Sequence, residues 1–373
     1  MKVAVLLRGQ ARYSEVAAKL FKDTIIEKHP YIDFKIFGHT WRTMSVAMSD
    51  NNFDNSFNRY HSKIFSISDM QSKIASWNLT RFLISGDKRL YDLSKEIINN
   101  NYYHERDAVV WLRNNWNNRD ISNGNTVLPT HTFVLYPGFR HTDYAYDLNN
   151  TTDIINTLGS NHRYILENAY YLGNLLGQMY SAGLSYNEFC KRADQSWVPD
   201  VIWCSRWDSV VECENLYNML THAASINTNT VYTRGVTVIN SRAWINDYNF
   251  FMANDTANLF LGNMREHLLK IYTGSKITLT DLLDSKTMLQ HLMWTKLTDN
   301  GTVIAQMPVI GHNGTKSGWH DFLIRPGIER YSLNDITVDI ARQVSNDFKY
   351  PSGSGILTIS QMEEFMNIPD SEE

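Results

Sequence analysis

The sequence predicts an α/β fold, and three stretches carry that prediction. The first is an apolar run, Met1–Leu7, that stops at Gly9; a helical pattern over residues 15–29 and a second strand-like run, Asp33–Trp41, follow, so the chain opens β-α-β. The second lies between about Ser160 and Arg192, where Ile165, Ala169, Leu172, Leu175, Leu176, Met179 and Leu184 recur at three and four positions. That spacing gives one or two amphipathic helices with an apolar face on a sheet. The third, Val198–Asp208, is opened by Pro199 and closed by charge, and reads as a buried strand delivering Asp208 to its C-terminal edge. Open α/β sheets bind their ligands at that edge.

The remaining elements follow in chain order. In Ser66-Ile67-Ser68-Asp69 a serine or aspartate oxygen caps a short helix by accepting the free amide protons of its first turn. Arg81–Asn101 and His104–Asn118 alternate apolar and charged residues at helical spacing, within an aromatic-rich insertion spanning about residues 49–160. Gly173, Gly177 and Gly183 either permit close helix packing or interrupt the helix. Thr230–Thr233 and Val236–Ile239, split by Arg234 and Gly235, suggest a hairpin or bulged strand. Asp255–Tyr272 reads as a helix capped by Asp255 or Thr256, Lys286–Leu297 as another, and Thr302–Ile310 as the last clear strand. A tail over 351–373 carries a short helix at Ser360–Met366, after one domain over 1–350.

Composition narrows the function classes. With 373 residues, 43% of them apolar, and a formal charge of −4, the chain can bury a large core and carries no overall basic excess of the kind nucleic-acid binding favours. No apolar run reaches the roughly 18–20 residues that cross a bilayer, and the N-terminus enters a strand directly, so the expectation is a cytoplasmic protein without membrane insertion. Cys190, Cys204 and Cys213 have no Cys-x-x-Cys spacing, which points to buried free thiols rather than disulfides or zinc.

Four short motifs in order carry a resemblance. Gly9-Gln10-Ala11-Arg12 ends the first strand, His39-Thr40-Trp41 ends the second, Arg206-Trp207-Asp208 ends the Pro-Asp strand, and Asn246-Asp247 precedes an aromatic segment. Gln178-Met179-Tyr180-Ser181 lies between them on a long helix. The set resembles GT-A-type glycosyltransferases of the bacterial and viral kind, which carry Arg-x-Asp where Asp-x-Asp is usual. A looser likeness joins His312–Trp319 to the His-x-x-Gly-x-x-Lys-Pro-Trp of glycogenin-like glycosyltransferases, one residue short and with Gly318 in place of proline. The resemblance implies a three-layer α/β/α sandwich with a central mixed sheet and a helical insertion. It also implies a nucleotide-sugar donor and an acceptor hydroxyl on a glycan or lipopolysaccharide precursor, or on a hydroxymethylated base of phage DNA.

Sugar transfer makes a diphosphate leaving group gain charge as the glycosidic bond breaks, so the site must offer metal, cations or amide protons there. Asp208 with His312 suits a Mn2+ or Mg2+ ion, since such ions take few protein oxygens when phosphates complete the shell. Arg206, standing where the first acidic residue is usual, instead suits direct bidentate neutralisation of phosphate; the same pair also reads as a mutual ion pair. Arg8, Gly9, Gln10 and Arg12 form a loop with exposed amides and positive charge for the nucleotide, or an ordinary β-α turn. Asp247 is placed to take the acceptor proton, or to cap a turn. His39 and Trp41 offer base or ribose contacts, or core packing, and Lys316 completes the phosphate site from the C-terminal side. A protein on the same fold that binds nucleotide sugars or glycans without turnover is the alternative function.

Overall fold

The computed structural model describes residues 1–47, 60–86, 89, 127–128, 177–225, 229–234, 236–239, 242–274, 277–278, 302–307 and 319–348. Seven strands form the central sheet: β1 (Lys2–Arg8), β2 (Asp33–Trp41), β3 (Arg81–Ser85), β4 (Val201–Arg206), β5 (Thr230–Thr233), β6 (Asn249–Ala253) and β7 (Val303–Gln306). Their order is β3-β2-β1-β4-β6-β5-β7. Neighbours are parallel except for β6, which runs antiparallel to both β4 and β5. The sheet is therefore mixed, as expected.

β1 and β4 are apolar on both faces because helices cover both. On one face α1 (Ser14–Phe21) packs Ala17, Leu20 and Phe21 into a core with Val3, Val5, Leu7, Trp203 and Trp207. Phe21 lies 5.3 Å from both Trp77 and Trp203. The other face is covered by a helix over residues 177–190, whose Gln178 and Ser181 reach Arg8 of β1 and His39 of β2. That helix is pressed against a helix at Met264–Gly274: a Cβ on Gly183 would sit 2.6 Å from the Cβ of Met264, so close packing is the role of this glycine.

Ser66 caps the helix Ile67–Ile74 by accepting from the Asp69 amide, as its sequence signature predicts. Other readings are corrected. The helical pattern does not hold at Arg81–Ser85, which is an edge strand paired with β2; the β-sheet partner, absent from a local pattern, decides. The first helix is regular only to Phe21 and continues as a wider π-turn to Ile26 rather than as α-helix to His29. Val236–Ile239 pairs with Arg242–Ile245 and not with Thr230–Thr233, which enters the central sheet. Residues 254–274 form two helices, Asn254–Leu261 and Met264–Gly274, broken at Gly262-Asn263. The first follows Ala253 as cap, so Asp255 lies in the first turn, its charge near the positive end of the helix dipole. A strand at Trp319–Leu323 follows the one expected to be last, pairing with Ser209–Cys213. Of the three free thiols only Cys204 is buried; Cys190 is exposed. The helices expected at His104–Asn118, Lys286–Leu297 and Ser360–Met366 lie outside the described residues, as do His312 and Lys316. Among the described residues no helix is long and apolar enough to cross a membrane.

Candidate functional site

The chain leaves β1 to form β2 on one side and later returns to place β4 on the other, so the connections diverge at the C-terminal ends of β1 and β4. Such a divergence opens a crevice at the sheet edge. Arg8 and Arg206 are register partners at that point, the last residues of the two strands.

Asp208 occupies the two-residue turn between β4 and the strand Ser209–Cys213, its carbonyl accepting from the Ile324 amide at 2.8 Å. Its carboxylate is almost fully buried and held by a fork: Arg206 donates Nε to Oδ1 and Nη2 to Oδ2, each at 2.9 Å. Arg12 adds a third bond to Oδ2 at 3.0 Å. Burial alone would raise the Asp208 carboxyl, but Arg206 and Arg12 outweigh it and hold the group below the ordinary carboxylate range. Arg206, despite its own burial, is held more firmly protonated than usual by Asp208, with Asp247 contributing. The Arg206 guanidinium also lies 5.9 Å from the Tyr248 ring.

Arg8 is different. It is 1% exposed, and it donates to the Gln178 side-chain oxygen at 2.9 Å and to the Asp247 carbonyl. It stands 5.1 Å from the Phe250 ring centre, and its Nε has no hydrogen-bond partner. Among the described residues no carboxylate pairs with it. Charged donors on neutral acceptors contribute about 1.5–3 kcal/mol each, while burying an ion costs several, so the charge itself is left uncompensated.

The loop after β1 turns at Gly9, whose φ of +87° lies in the left-handed region. Its amides face inward, contrary to the expected open cradle: Gly9 donates to Ser181 Oγ at 2.7 Å and Ala11 to Thr40 Oγ1 at 3.1 Å. Gln10 is partly exposed beside them. His39 is fully buried behind this loop, with Nδ1 2.7 Å from Ser181 Oγ and Nε2 without a partner. Burial, aided by Arg89, keeps its pKa well below the usual histidine value, so it is neutral. Trp41 is also buried, edge-on to His39 at 4.5 Å and near Tyr180, which is the core-packing reading of this residue.

Asp247 lies in the turn between Arg242–Ile245 and β6, its main chain fixed by Arg8. The turn is further held by Asn246, whose side-chain oxygen accepts from the Tyr248 amide at 2.9 Å and whose carbonyl accepts from Thr233 at 2.5 Å. Behind it Asp321, buried on Trp319–Leu323, accepts from Arg234 at 2.6 Å, Asn249 at 3.1 Å and Asn246 at 3.4 Å. Burial raises the Asp321 carboxyl despite these donors.

Arg8, Gly9, Arg12, Arg206, Asp208 and Asp247 thus converge at one edge, while His39 and Trp41 sit beneath it. The sequence reading did not assign Gln178, Ser181, Asn249, Arg234 or Asp321 a role. Gln178 and Ser181 carry a signal, since three residues apart they share one helix face. Asp321 carries none.

Among the described residues the donors at the crevice do not fit a divalent cation, His312 lying outside them. Both Asp208 oxygens already accept guanidinium protons, and each unit of cation charge about 4 Å from a guanidinium meets a repulsion of about 4 kcal/mol at an effective dielectric near 20. Among the described residues no group of three or more His, Cys, Asp or Glu is placed to hold a metal. The charge arrangement is that of an anion site. No protein-family model, curated protein or solved structure matches the chain.

Proposed function

We propose that the protein is a glycosyltransferase with a GT-A-like fold that moves a sugar from a nucleotide-sugar donor to an acceptor hydroxyl. The observation that carries the reading is the meeting of Arg8, Arg12 and Arg206 with Asp247 at the β1/β4 crevice. Positive charge there stabilises a departing nucleoside diphosphate as the glycosidic bond breaks. Asp247, at the same rim and electrostatically coupled to Arg206, takes the proton of the acceptor hydroxyl as that oxygen attacks the anomeric carbon. The acceptor is a glycan or lipopolysaccharide precursor, or a hydroxymethylated base in phage DNA; the balanced overall charge of the chain favours the first.

Incubating the protein with a panel of uridine, guanosine and other nucleotide sugars and following release of nucleoside diphosphate tests this. Asp247→Asn is expected to keep donor binding and to lower turnover by about 10²–10⁴-fold, the range general-base removal produces. Unchanged turnover removes Asp247 from the chemistry. A binding protein without turnover is the second reading, favoured by the saturation of Asp208; it predicts calorimetric donor binding with no product from any donor.

A further inference from the structure

We infer that the crevice grips a diphosphate through guanidinium groups alone, with no divalent cation between protein and phosphate, and that Asp208 serves to position Arg206 and Arg12 rather than to ligate metal. The inference rests on the nucleotide-sugar reading for the identity of the ligand and on the geometry of four side chains for its mode of binding.

A carboxylate that bridges phosphate through a cation presents free oxygens toward the ligand. Asp208 does the opposite: its side chain is 3% exposed and both oxygens are turned into the fork of Arg206 and onto Arg12. The side chains that remain partly exposed at this point are those of the arginines, Arg12 at 25% and Arg206 at 13%. Fixed by one shared carboxylate, their planar donors are oriented before a ligand arrives, which lowers the ordering cost of binding. Arg12 keeps a buried Nε with no partner.

Arg8 supplies the second, independent observation. It is buried, no carboxylate among the described residues pairs with it, and its Nε is unpartnered, so its positive charge lies behind the two clamping groups without a described counter-charge. In a site screened from water such a charge attracts a multivalent anion and repels a cation. Three guanidiniums stand against the carboxylates of Asp208 and Asp247, an excess of one positive charge before Arg325, which also acts on Asp208, is counted.

Titration calorimetry of the full chain with inorganic pyrophosphate, once in chelator and once as the manganese complex, separates the two modes. The clamp gives dissociation constants in chelator no more than about twofold weaker than with manganese, and affinity that falls as salt is raised. Arg12→Gln weakens pyrophosphate by about tenfold or more, because a charged, oriented donor is lost. Asp208→Asn loosens the orientation of both arginines but also removes a repelling charge, so pyrophosphate binding in chelator persists, whereas removal of a metal ligand abolishes it. Binding that requires manganese, an Arg12→Gln variant equal to wild type, or no pyrophosphate binding under either condition overturns the inference; should Asp208→Asn not fold, the chelator comparison and Arg12→Gln decide. Manganese-dependent sugar transfer would overturn the clamp and leave the transferase standing, while metal-free pyrophosphate binding without transfer from any donor would do the reverse.

Discussion

A guanidinium in a dry interior normally brings a carboxylate with it, because the lost hydration of the ion exceeds what neutral acceptors return. Arg8 breaks that rule and His39 a related one, a buried imidazole with one nitrogen satisfied by Ser181 and the other by nothing. Residues that cost stability at the crevice of an α/β sheet are where function and folding are expected to conflict. His39 makes the cost measurable. Its folded pKa is depressed while the unfolded value stays near 6.5, so the unfolded chain binds the extra proton as pH falls below about 6.5. Stability is complete above that pH and declines below it, by about 1.4 kcal/mol per pH unit for this one proton until the folded pKa is reached. Urea unfolding from pH 7.5 to 5 should show that slope, with His39→Gln flattening it by one proton and leaving the smaller dependence from His29, whose pKa burial also lowers. An unchanged slope would mean that His39 is not neutral in the folded protein. Asp208 adds a separate acid limb: its pKa is depressed, so its contribution is present above the usual carboxylate range and lost as pH falls beneath it.

At the scale of elements, the helix over 177–190 links packing to the site. Its Gln178 and Ser181 reach Arg8, Gly9 and His39, and its Glu188 anchors Arg81 at the start of β3. The position of the helix is set by Gly183 against Met264. Gly183→Ala gains up to about 1 kcal/mol of helix propensity but forces the two helices apart, and overpacking costs about 1–3 kcal/mol. The expected outcome is a net loss of about 1 kcal/mol in chemical denaturation, with weaker donor binding because Gln178 and Ser181 shift; higher stability would show that the helices have room. Helix caps and apolar runs of this kind are legible in a sequence, as Ser66 and Val201–Arg206 illustrate. Strand status at Arg81–Ser85 is not, since it depends on hydrogen bonds to residues more than forty positions away.

In the whole molecule the crevice divides the sheet into β3-β2-β1 and β4-β6-β5-β7, and its arginines come from both parts. On the clamp reading, a ligand held by Arg12 from one side and Arg206 from the other ties the two together, so it stabilises the native state globally. Pyrophosphate at about 100 times its dissociation constant should add about 2.7 kcal/mol to unfolding free energy, read as a raised thermal or denaturant midpoint. Saturating ligand without a shift in midpoint would place binding on a state other than the folded one.

The sequence by itself determined the β-α-β opening, the buried strand that leads to Asp208, though not its end at Arg206, the turn at Gly9 and the candidate residues Arg8, Arg12, Asp208 and Asp247, because periodicity, glycine and charge are local properties of a chain. Only the tertiary structure decided that Asp208 spends its oxygens on two arginines, that Arg8 is buried with no carboxylate beside it among the described residues, that Trp41 is buried against His39 and Tyr180, and that Asp321 braces the Asp247 turn from a distant strand. The physical reason is that ionisation, desolvation and hydrogen-bond satisfaction depend on which groups approach within a few ångströms, and at the crevice those approaches join residues that the chain separates by as many as 239 positions.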